Sequence, residues 1–252
     1  MSDTIFLETT IQADRNFSYS SERNKIREKL KGKKLVSSSY VLGELKSNFL
    51  QNAITFYNLL QECDTTNEAL VRLSKVLYST RQYDRVLKIF SYLTEDGNMS
   101  KRDVERRLNM LIEDTFIKRF FTGLDENLID ETECFKAKVN PEYEDGFWKP
   151  LKFNCTARAK NICNICAFFE SNSENIKFIE EACEKADNQN LTEMASILKE
   201  IREENKKPQG KRCWKLGDVI ICNELPTDCK IYTTNKKDYE PICGVIGKEL
   251  YK

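Results

Sequence analysis

Four acidic residues lie after predicted strands or near the starts of predicted helices, where the fold could bring their carboxylates together. Two of them come after short apolar stretches at residues 5–7 and 230–232, which are predicted to be β-strands at opposite ends of the chain. The other two fall near the starts of predicted helices. Carboxylate oxygens are the ligands that hard divalent cations such as Mg²⁺ and Mn²⁺ prefer. The four candidate ligands are Glu8, Glu44, Asp218 and Asp238.

A parallel sheet is the element that could bring these four acids to one place. If the two end strands lie in one parallel sheet, the residues after them meet at its carboxyl edge, where open α/β folds place their sites. Residues 34–37 form a further predicted strand, and the serines at its end can cap a helix that carries Glu44 in its first two turns. Residues 216–222 predict a short buried helix with Asp218 at its amino end. The sequence therefore predicts an α/β fold with one acidic, metal-binding pocket.

The motifs around these acids resemble those of the PIN domain nucleases. The family's first strand usually ends in Asp-Thr-Asn, which this chain replaces with Glu-Thr-Thr at residues 8–10. The second acid of the family is a Glu early in a helix after a serine-containing strand, and the third is an Asp that opens an apolar helix. Glu44 and Asp218 match these positions. The last motif runs from Thr through Asn to Asp and an aromatic residue, and residues 233–239, Thr-Thr-Asn-Lys-Lys-Asp-Tyr, match it.

The resemblance covers only the two ends of the chain. It implies a PIN-like, three-layer α/β fold with a central parallel sheet, split by a large and mostly helical insertion. The boundaries predicted on this basis are residues 1–60 for the first part of the PIN-like domain, 61–205 for the insertion and 206–252 for the second part. The insertion is the candidate surface for a protein partner.

The activity that the resemblance implies is divalent-metal-dependent hydrolysis of phosphodiester bonds in nucleic acid, with RNA favoured over DNA. On this basis Glu8 and Asp218 hold the metal directly, and Asp238 holds it directly or through water. Glu44 orients a second metal or a water molecule. The supporting hydroxyl and amide groups are those of Thr9, Thr234 and Asn235.

One position departs from the family pattern and keeps an alternative open. Glu8 is longer than the usual Asp by a methylene, so a bound metal would be displaced, and Asp14 in the predicted following turn is an alternative ligand. The chain would then be a catalytically inactive PIN-like protein that binds nucleic acid or a partner. A single Asp or Glu is in any case more often a solvated surface charge than a ligand.

Composition excludes several other classes of function. Lys plus Arg and Asp plus Glu each number 40, so no global positive field attracts nucleic acid, and any binding must be local. Histidine is absent, which excludes Ser-His-Asp and Cys-His catalysis and His-dependent zinc hydrolases. We expect no membrane span and no signal peptide. The ten cysteines are therefore expected to be thiols or metal ligands in a reducing cytoplasm.

Substrate contacts are predicted from two basic stretches, residues 23–34 and 206–215. The second contains Trp214, which could stack on a base while its neighbours follow a phosphate backbone. The alternative is a solvated helix face and a basic loop without function. The candidate substrate-binding residues are Lys211, Arg212, Trp214 and Lys236.

Four cysteines of the predicted insertion form a second candidate site, for Zn²⁺ or an iron–sulfur cluster. Two of them are spaced as Cys-x-x-Cys at residues 163–166, one helical turn apart, and thiolates at such spacing suit either metal centre. Packing in an apolar core is the alternative, because free Cys behaves as a small hydrophobic residue. The four are Cys155, Cys163, Cys166 and Cys183.

Helical periodicity dominates the middle of the chain. Apolar residues recur at helical spacing over residues 48–62, 66–79 and 83–93, and Ser100 is placed to cap a further helix. Residues 125–150 are acidic and irregular. Two more helices are predicted, at residues 174–187 and 191–205.

Overall fold

Strands from the two ends of the chain form a four-stranded parallel sheet. The computed structural model describes residues 3–76, 80–97, 100–125, 127–153, 155 and 163–252. The sheet has the strand order β2-β1-β5-β6, and β3 and β4 form a separate antiparallel hairpin. The strands are β1 (Thr4–Leu7), β2 (Lys34–Val36), β3 (Tyr143–Glu144), β4 (Phe147–Trp148), β5 (Cys229–Tyr232) and β6 (Glu249–Leu250). The predicted α/β class and the pairing of strands from the two chain ends are confirmed.

Strand β1 is buried on both faces, as a central parallel strand should be. Alternate side chains point to opposite faces of a strand, so Ile5 and Leu7 share one face and Phe6 lies on the other. Phe6 belongs to the large hydrophobic cluster that extends into the middle of the chain. Ile5 and Leu7 belong to a smaller cluster with Ile11, Ile26, Leu30 and Leu35.

Helices make up most of the remaining structure. Two of the connections are π-helical turns, Lys46–Leu50 before α4 and Leu111–Thr115 before α8. No helix among the described residues is both long enough and apolar enough to cross a membrane. The helices are α1 (Thr9–Phe17), α2 (Ser20–Leu30), α3 (Ser39–Leu45), α4 (Gln51–Glu62), α5 (Thr66–Val76), α6 (Thr80–Leu93), α7 (Lys101–Met110), α8 (Phe116–Phe121), α9 (Phe135–Lys138), α10 (Ile165–Ser171), α11 (Ser173–Glu184), α12 (Gln189–Glu203), α13 (Lys211–Lys215), α14 (Gly217–Glu224) and α15 (Lys236–Val245).

The helices predicted from periodicity in the middle of the chain are confirmed. The stretches 48–62, 66–79 and 83–93 correspond to α4, α5 and α6, with residues 77–79 outside the described part of the chain. Periodicity located these helices because each buries one apolar stripe against its neighbours.

Local capping and turn signals were also informative. Ser100 caps α7 as predicted, since its hydroxyl accepts a hydrogen bond from the backbone N–H of Asp103 at 3.3 Å. The predicted helices 174–187 and 191–205 correspond to α11 and α12. The stretch 125–150, predicted to be irregular, contains the short helix α9 and the β3–β4 hairpin.

Helix α1 is held against the middle of the chain by aromatic packing and a buried Arg. The ring centroid of Phe17 lies 5.0 Å from that of Phe116 and 6.3 Å from that of Phe49. The guanidinium of Arg15 donates hydrogen bonds to the carbonyls of Phe120 and Thr122, at 3.0 and 2.7 Å. The helices between the two chain ends therefore help to fix the orientation of α1, whose first turn borders the candidate site.

Candidate carboxylate site

Glu8 lies at the carboxyl end of β1 and caps helix α1. Its carboxylate accepts hydrogen bonds from the backbone N–H groups of Thr10 and Ile11, at 2.8 and 3.2 Å, and from the hydroxyl of Thr10. Burial raises the pKa of Glu8 to about 7, although the hydrogen bonds act in the opposite direction. Glu8 thus serves both as an N-cap and as an acid buried at the edge of the sheet.

Glu44 comes to the same edge from helix α3. The helix begins where predicted, because the hydroxyl of Ser38 accepts a hydrogen bond from the N–H of Val41 at 3.2 Å. Oε2 of Glu44 accepts a hydrogen bond from the hydroxyl of Thr9 at 2.5 Å. Burial raises the pKa of Glu44, and the bond from Thr9 partly opposes this rise. Thr9 therefore connects the first turn of α1 to α3.

Asp218 lies in the first turn of α14. Its pKa is raised to about 8 by burial and by the nearby carboxyls of Glu44 and Glu8, against a lowering hydrogen bond from the hydroxyl of Tyr239. Three acids from three separate elements therefore lie close enough to oppose one another's ionisation. Such a group is stabilised either by protons or by a cation.

Asp238, in the first turn of α15, is surrounded by side-chain amides. It accepts hydrogen bonds from the Nδ2 atoms of Asn188, Asn190 and Asn235, at 2.7, 3.4 and 2.9 Å. Asn235 also donates to Oδ2 of Asp218 at 3.3 Å, so one amide joins two of the predicted ligands. The sequence analysis did not identify the first two asparagines, whose one available signal was their position at the start of α12.

These groups border an open cavity of about 270 Å³. Glu44, Asp218 and Asp238 line it directly, whereas Glu8 acts on it through its electrostatic interaction with Asp218. The lining residues are Glu44, Asn190, Glu193, Met194, Trp214, Lys215, Gly217, Asp218, Asn235 and Asp238.

The predicted supporting residue Thr234 lies next to the cap of α1. Its Oγ1 is 3.0 Å from Oγ1 of Thr10, whose hydroxyl also contacts Glu8. Asp14 is not in a turn as predicted: it lies inside α1 and its carboxylate pairs with Nζ of Lys88 at 2.6 Å. Asp14 is therefore engaged outside the carboxylate site.

The predicted substrate-binding residues differ in whether their side chains are exposed or already paired with another residue. Trp214 is 54% exposed and lines the cavity. Lys211 and Lys236 are exposed at the starts of α13 and α15, whereas Arg212 is bound to Glu200 at 3.0 Å. Sequence reasoning did not identify Lys136, whose Nζ lies 5.4 Å from the centre of the Trp214 ring.

The donor chemistry of the site fits a hard divalent cation. All four acids supply oxygen ligands, and the absence of a side chain at Gly217 leaves room for Oε1 of Glu44, 2.6 Å from where a Cβ would lie. As the side chains stand, however, no three His, Cys, Asp or Glu groups among the described residues are arranged to hold a metal ion. Metal binding would therefore require side-chain movement at this edge.

The structure does not bring all four predicted cysteines together. Cys183 lies in α11 and interacts electrostatically with Asp238 and Cys222. Cys163 interacts with both Cys155 and Cys166. Cys155 and Cys166 therefore lie near Cys163, whereas Cys183 lies near Cys222 and Asp238, and no three of these thiols are arranged to hold a metal ion among the described residues.

Gly217→Ala tests the packing beside Glu44. Because the group that a Cβ would meet is the end of a flexible side chain, we expect the free energy of unfolding to change by less than about 1 kcal/mol. The displaced carboxylate should weaken Mn²⁺ binding about tenfold. Urea unfolding and isothermal titration with Mn²⁺ measure the two effects.

Gly244→Ala is the matched control, since a Cβ there meets nothing within 4 Å. Equal Mn²⁺ affinities in the two variants would contradict the prediction.

Comparisons with known proteins found no relative of this chain. No family model matches the chain. Searches of the curated proteins and of the solved structures also found no match.

Proposed function

We propose that this chain is a PIN-like nuclease that hydrolyses phosphodiester bonds with the help of Mg²⁺ or Mn²⁺. The observation that carries the proposal is the grouping of Glu8, Glu44 and Asp218 at the carboxyl edge of a parallel sheet. Buried carboxyls that oppose one another's ionisation are suited to a divalent cation, and the positive charges of Lys136 and Arg85 offset only part of the rise in the pKa of Glu44.

Each acid has a distinct role in this proposal. Asp218 and Glu8 would hold the metal, with Asp238 binding directly or through water, and Glu44 would orient the attacking water. A bound Mg²⁺ or Mn²⁺ supplies charge compensation and lowers the pKa of a coordinated water. Asn235 keeps Asp218 and Asp238 in a common arrangement through its two hydrogen bonds.

Single-stranded RNA is the proposed substrate. Trp214 presents an exposed ring at the rim of the cavity, where a base can stack, and Lys136 places a positive charge beside that ring. Lys211 and Lys236 are exposed and able to contact phosphates. This arrangement provides the local binding that a chain of zero net charge requires. We place the activity in the cytoplasm, where free thiols persist.

Replacing Trp214 should weaken RNA binding more than cleavage chemistry. Stacking of one base on an aromatic side chain contributes about 1–3 kcal/mol, so Trp214→Ala should raise the Kd for a labelled single-stranded RNA about tenfold or more. Trp214→Phe keeps a stacking surface and should remain within about threefold of the wild type. Fluorescence anisotropy measures both values. Identical Kd values for the Ala variant and the wild type would remove Trp214 from the binding surface.

A second candidate, an inactive PIN-like protein that binds nucleic acid or a partner, is favoured by a specific observation. Three donors from the first turn of α1 already occupy the carboxylate of Glu8, and three amides already bind Asp238. Both acids therefore have structural roles that would persist without catalysis. In this alternative the helices of residues 61–205 provide the partner surface.

A cleavage assay separates the two candidates. The purified protein is incubated with a panel of single-stranded and duplex RNA and DNA in Mg²⁺ or Mn²⁺, with and without EDTA. EDTA-sensitive cutting that is lost in Asp218→Asn supports the nuclease. Binding of RNA without cutting under either metal supports the inactive binder.

A further inference from the structure

Two buried thiols on neighbouring helices lie in direct contact. Cys222 belongs to α14 and Cys243 to α15, and their Sγ atoms are 3.1 Å apart. Both side chains are almost completely buried, with exposed fractions of 0% and 1%. The S–S bond of a disulfide measures about 2.05 Å, so the two sulfur atoms need to approach by only about 1 Å to bond. The two residues lie 21 positions apart in the sequence, and the fold brings them together.

Lys248 binds the ends of both helices beside this pair. Its backbone N–H donates a hydrogen bond to the carbonyl of Cys243 at 2.9 Å, and its Nζ donates to the carbonyl of Leu225 at 2.7 Å. Leu225 directly follows the last residue of α14. The contact of the two sulfur atoms is therefore part of the packing of α14 against α15.

Cys243 is the member of the pair that a small oxidant reaches first. The next two residues, Gly244 and Val245, are exposed, and a Cβ at Gly244 would meet nothing within 4 Å. Pro241 has no N–H, so α15 lacks one backbone hydrogen bond two residues before Cys243. Helix α14, by contrast, is buried from Val219 to Glu224. The end of α15 therefore opens more easily than α14.

The two thiols also differ in how readily one of them ionises. Burial and the contact with Cys243 raise the pKa of Cys222 well above the usual range of a thiol. The thiolate is the nucleophilic form of cysteine, so Cys222 is a poor first nucleophile. Access and ionisation thus both make Cys243 the residue that reacts first and Cys222 the residue that reacts second.

We propose that Cys222 and Cys243 are a modification site at which hydrogen peroxide forms a reversible disulfide. In the first step the Cys243 thiolate attacks one peroxide oxygen and the O–O bond breaks. Cys243 becomes a sulfenic acid, and the other oxygen leaves as hydroxide and takes up the proton lost by the thiol. In the second step Sγ of Cys222 attacks the sulfenic sulfur, and the S–OH oxygen leaves as water with the proton of Cys222.

The overall reaction balances. The two thiols lose two electrons and two protons, and one hydrogen peroxide is reduced to two water molecules. Two molecules of a thiol such as glutathione return the protein to its reduced form by thiol–disulfide exchange, and they become a disulfide themselves. In a reducing cytoplasm the disulfide is therefore the transient form of the protein.

The bond would join the two helices that carry acids of the carboxylate site. Asp218 lies one turn before Cys222 in α14, and Asp238 lies in the first turn of α15. Oxidation would restrain the movement of these helices relative to one another. The modification site does not depend on the nuclease assignment, because it follows from the contact of the two thiols.

Peptide mapping of the oxidised full chain tests the proposal. The reduced protein is treated with a small excess of hydrogen peroxide, its remaining thiols are alkylated in denaturant, and it is digested with trypsin without reduction. We expect peptide 216–230 to be linked to peptide 238–248, with two hydrogen atoms fewer than the separate peptides. Dithiothreitol should separate them. Because peptide 216–230 also contains Cys229, fragmentation of the linked pair assigns the bond to Cys222.

Four variants check this assignment. Cys222→Ser and Cys243→Ser should each abolish the linked peptide. Cys229→Ser and Cys183→Ser are the matched controls and should keep it, since each removes another buried thiol. A bond from Cys243 to Cys229, or from Cys222 to Cys183, would overturn the proposed pairing.

The melting temperature of the wild type provides a readout that needs no variant. A disulfide between residues this far apart restrains the unfolded chain, so the oxidised protein should melt at least about 5 °C above the reduced protein. Dithiothreitol should reverse the shift. An oxidised sample with no linked peptide and an unchanged melting temperature would show that the two thiols only pack together, and this would overturn the proposal.

Discussion

Asp218→Asn should reduce metal-dependent cleavage of RNA by at least about 100-fold. The substitution keeps the size of the side chain and its ability to accept the hydrogen bond from Tyr239. It removes the charge at the centre of the acidic group, where the proposed cation needs a direct ligand. Initial rates on an end-labelled RNA in saturating Mn²⁺ measure the loss.

Glu193→Gln is the matched control for this experiment. Glu193 lines the same cavity, but its carboxylate pairs with Nζ of Lys215 at 2.8 Å, and both side chains are about half exposed. Exposed pairs of this kind contribute little, so the control should stay within about threefold of the wild-type rate. Equal losses in the two variants would point to a general electrostatic effect, and cutting that persists in Asp218→Asn would point to a contaminating nuclease.

Without divalent metal, the free energy of unfolding should fall as the pH rises from about 4 to about 8. The carboxyl of Asp218 has a pKa of about 8 in the folded protein, against 3.8 for an ordinary Asp. Between these values the folded state holds a proton that the unfolded state has lost, so stability decreases with pH. The contribution is complete below about pH 4 and is lost as the pH passes through about 8, with a total on the order of a few kcal/mol.

Urea unfolding at a series of pH values measures this slope, and Asp218→Asn should make it shallower. Glu8 and Glu224, whose burial raises each pKa to about 7, add to the slope in the same direction. Glu224→Gln should therefore also reduce it. Saturating Mn²⁺ distinguishes the carboxylate site from Glu224, because it should flatten the curve only in proteins that retain Asp218. A wild-type curve that Mn²⁺ leaves unchanged would contradict a cation site among these acids.

The local features of the site were predictable because they depend on short stretches of sequence. The apolar run before Glu8 forms β1, and the serine-capped helix that carries Glu44 begins at the predicted place. The short apolar helix opened by Asp218 is α14. Strand alternation, caps and apolar stripes act over a few residues, so the chain reveals them without a partner.

The three asparagine amides that bind Asp238 could not be predicted in the same way. Two of them, those of Asn188 and Asn190, lie about fifty residues earlier in the chain and reach Asp238 from the start of α12. A pair of asparagines at a helix start is ordinarily a capping signal, which Asn188 also fulfils. Their second role depends on how helices from different parts of the chain pack, which periodicity does not specify.

The cysteines illustrate the same limit. Spacing grouped Cys163 and Cys166 with Cys183, whereas the fold groups Cys163 with Cys134 and Cys213. The Cys-x-x-Cys spacing is a local signal, but the identity of the remaining partners follows from tertiary packing against α3.

By itself, the amino-acid sequence determined the α/β class, the strands that the acids follow, most of the helices and the exclusion of histidine chemistry. These follow from composition and from interactions between residues close in sequence. Only the tertiary structure decided which side chains oppose the ionisation of Asp218, which amides hold Asp238 and which thiols surround Cys163. Those neighbours depend on the packing of distant segments into one core, where burial strengthens each electrostatic interaction.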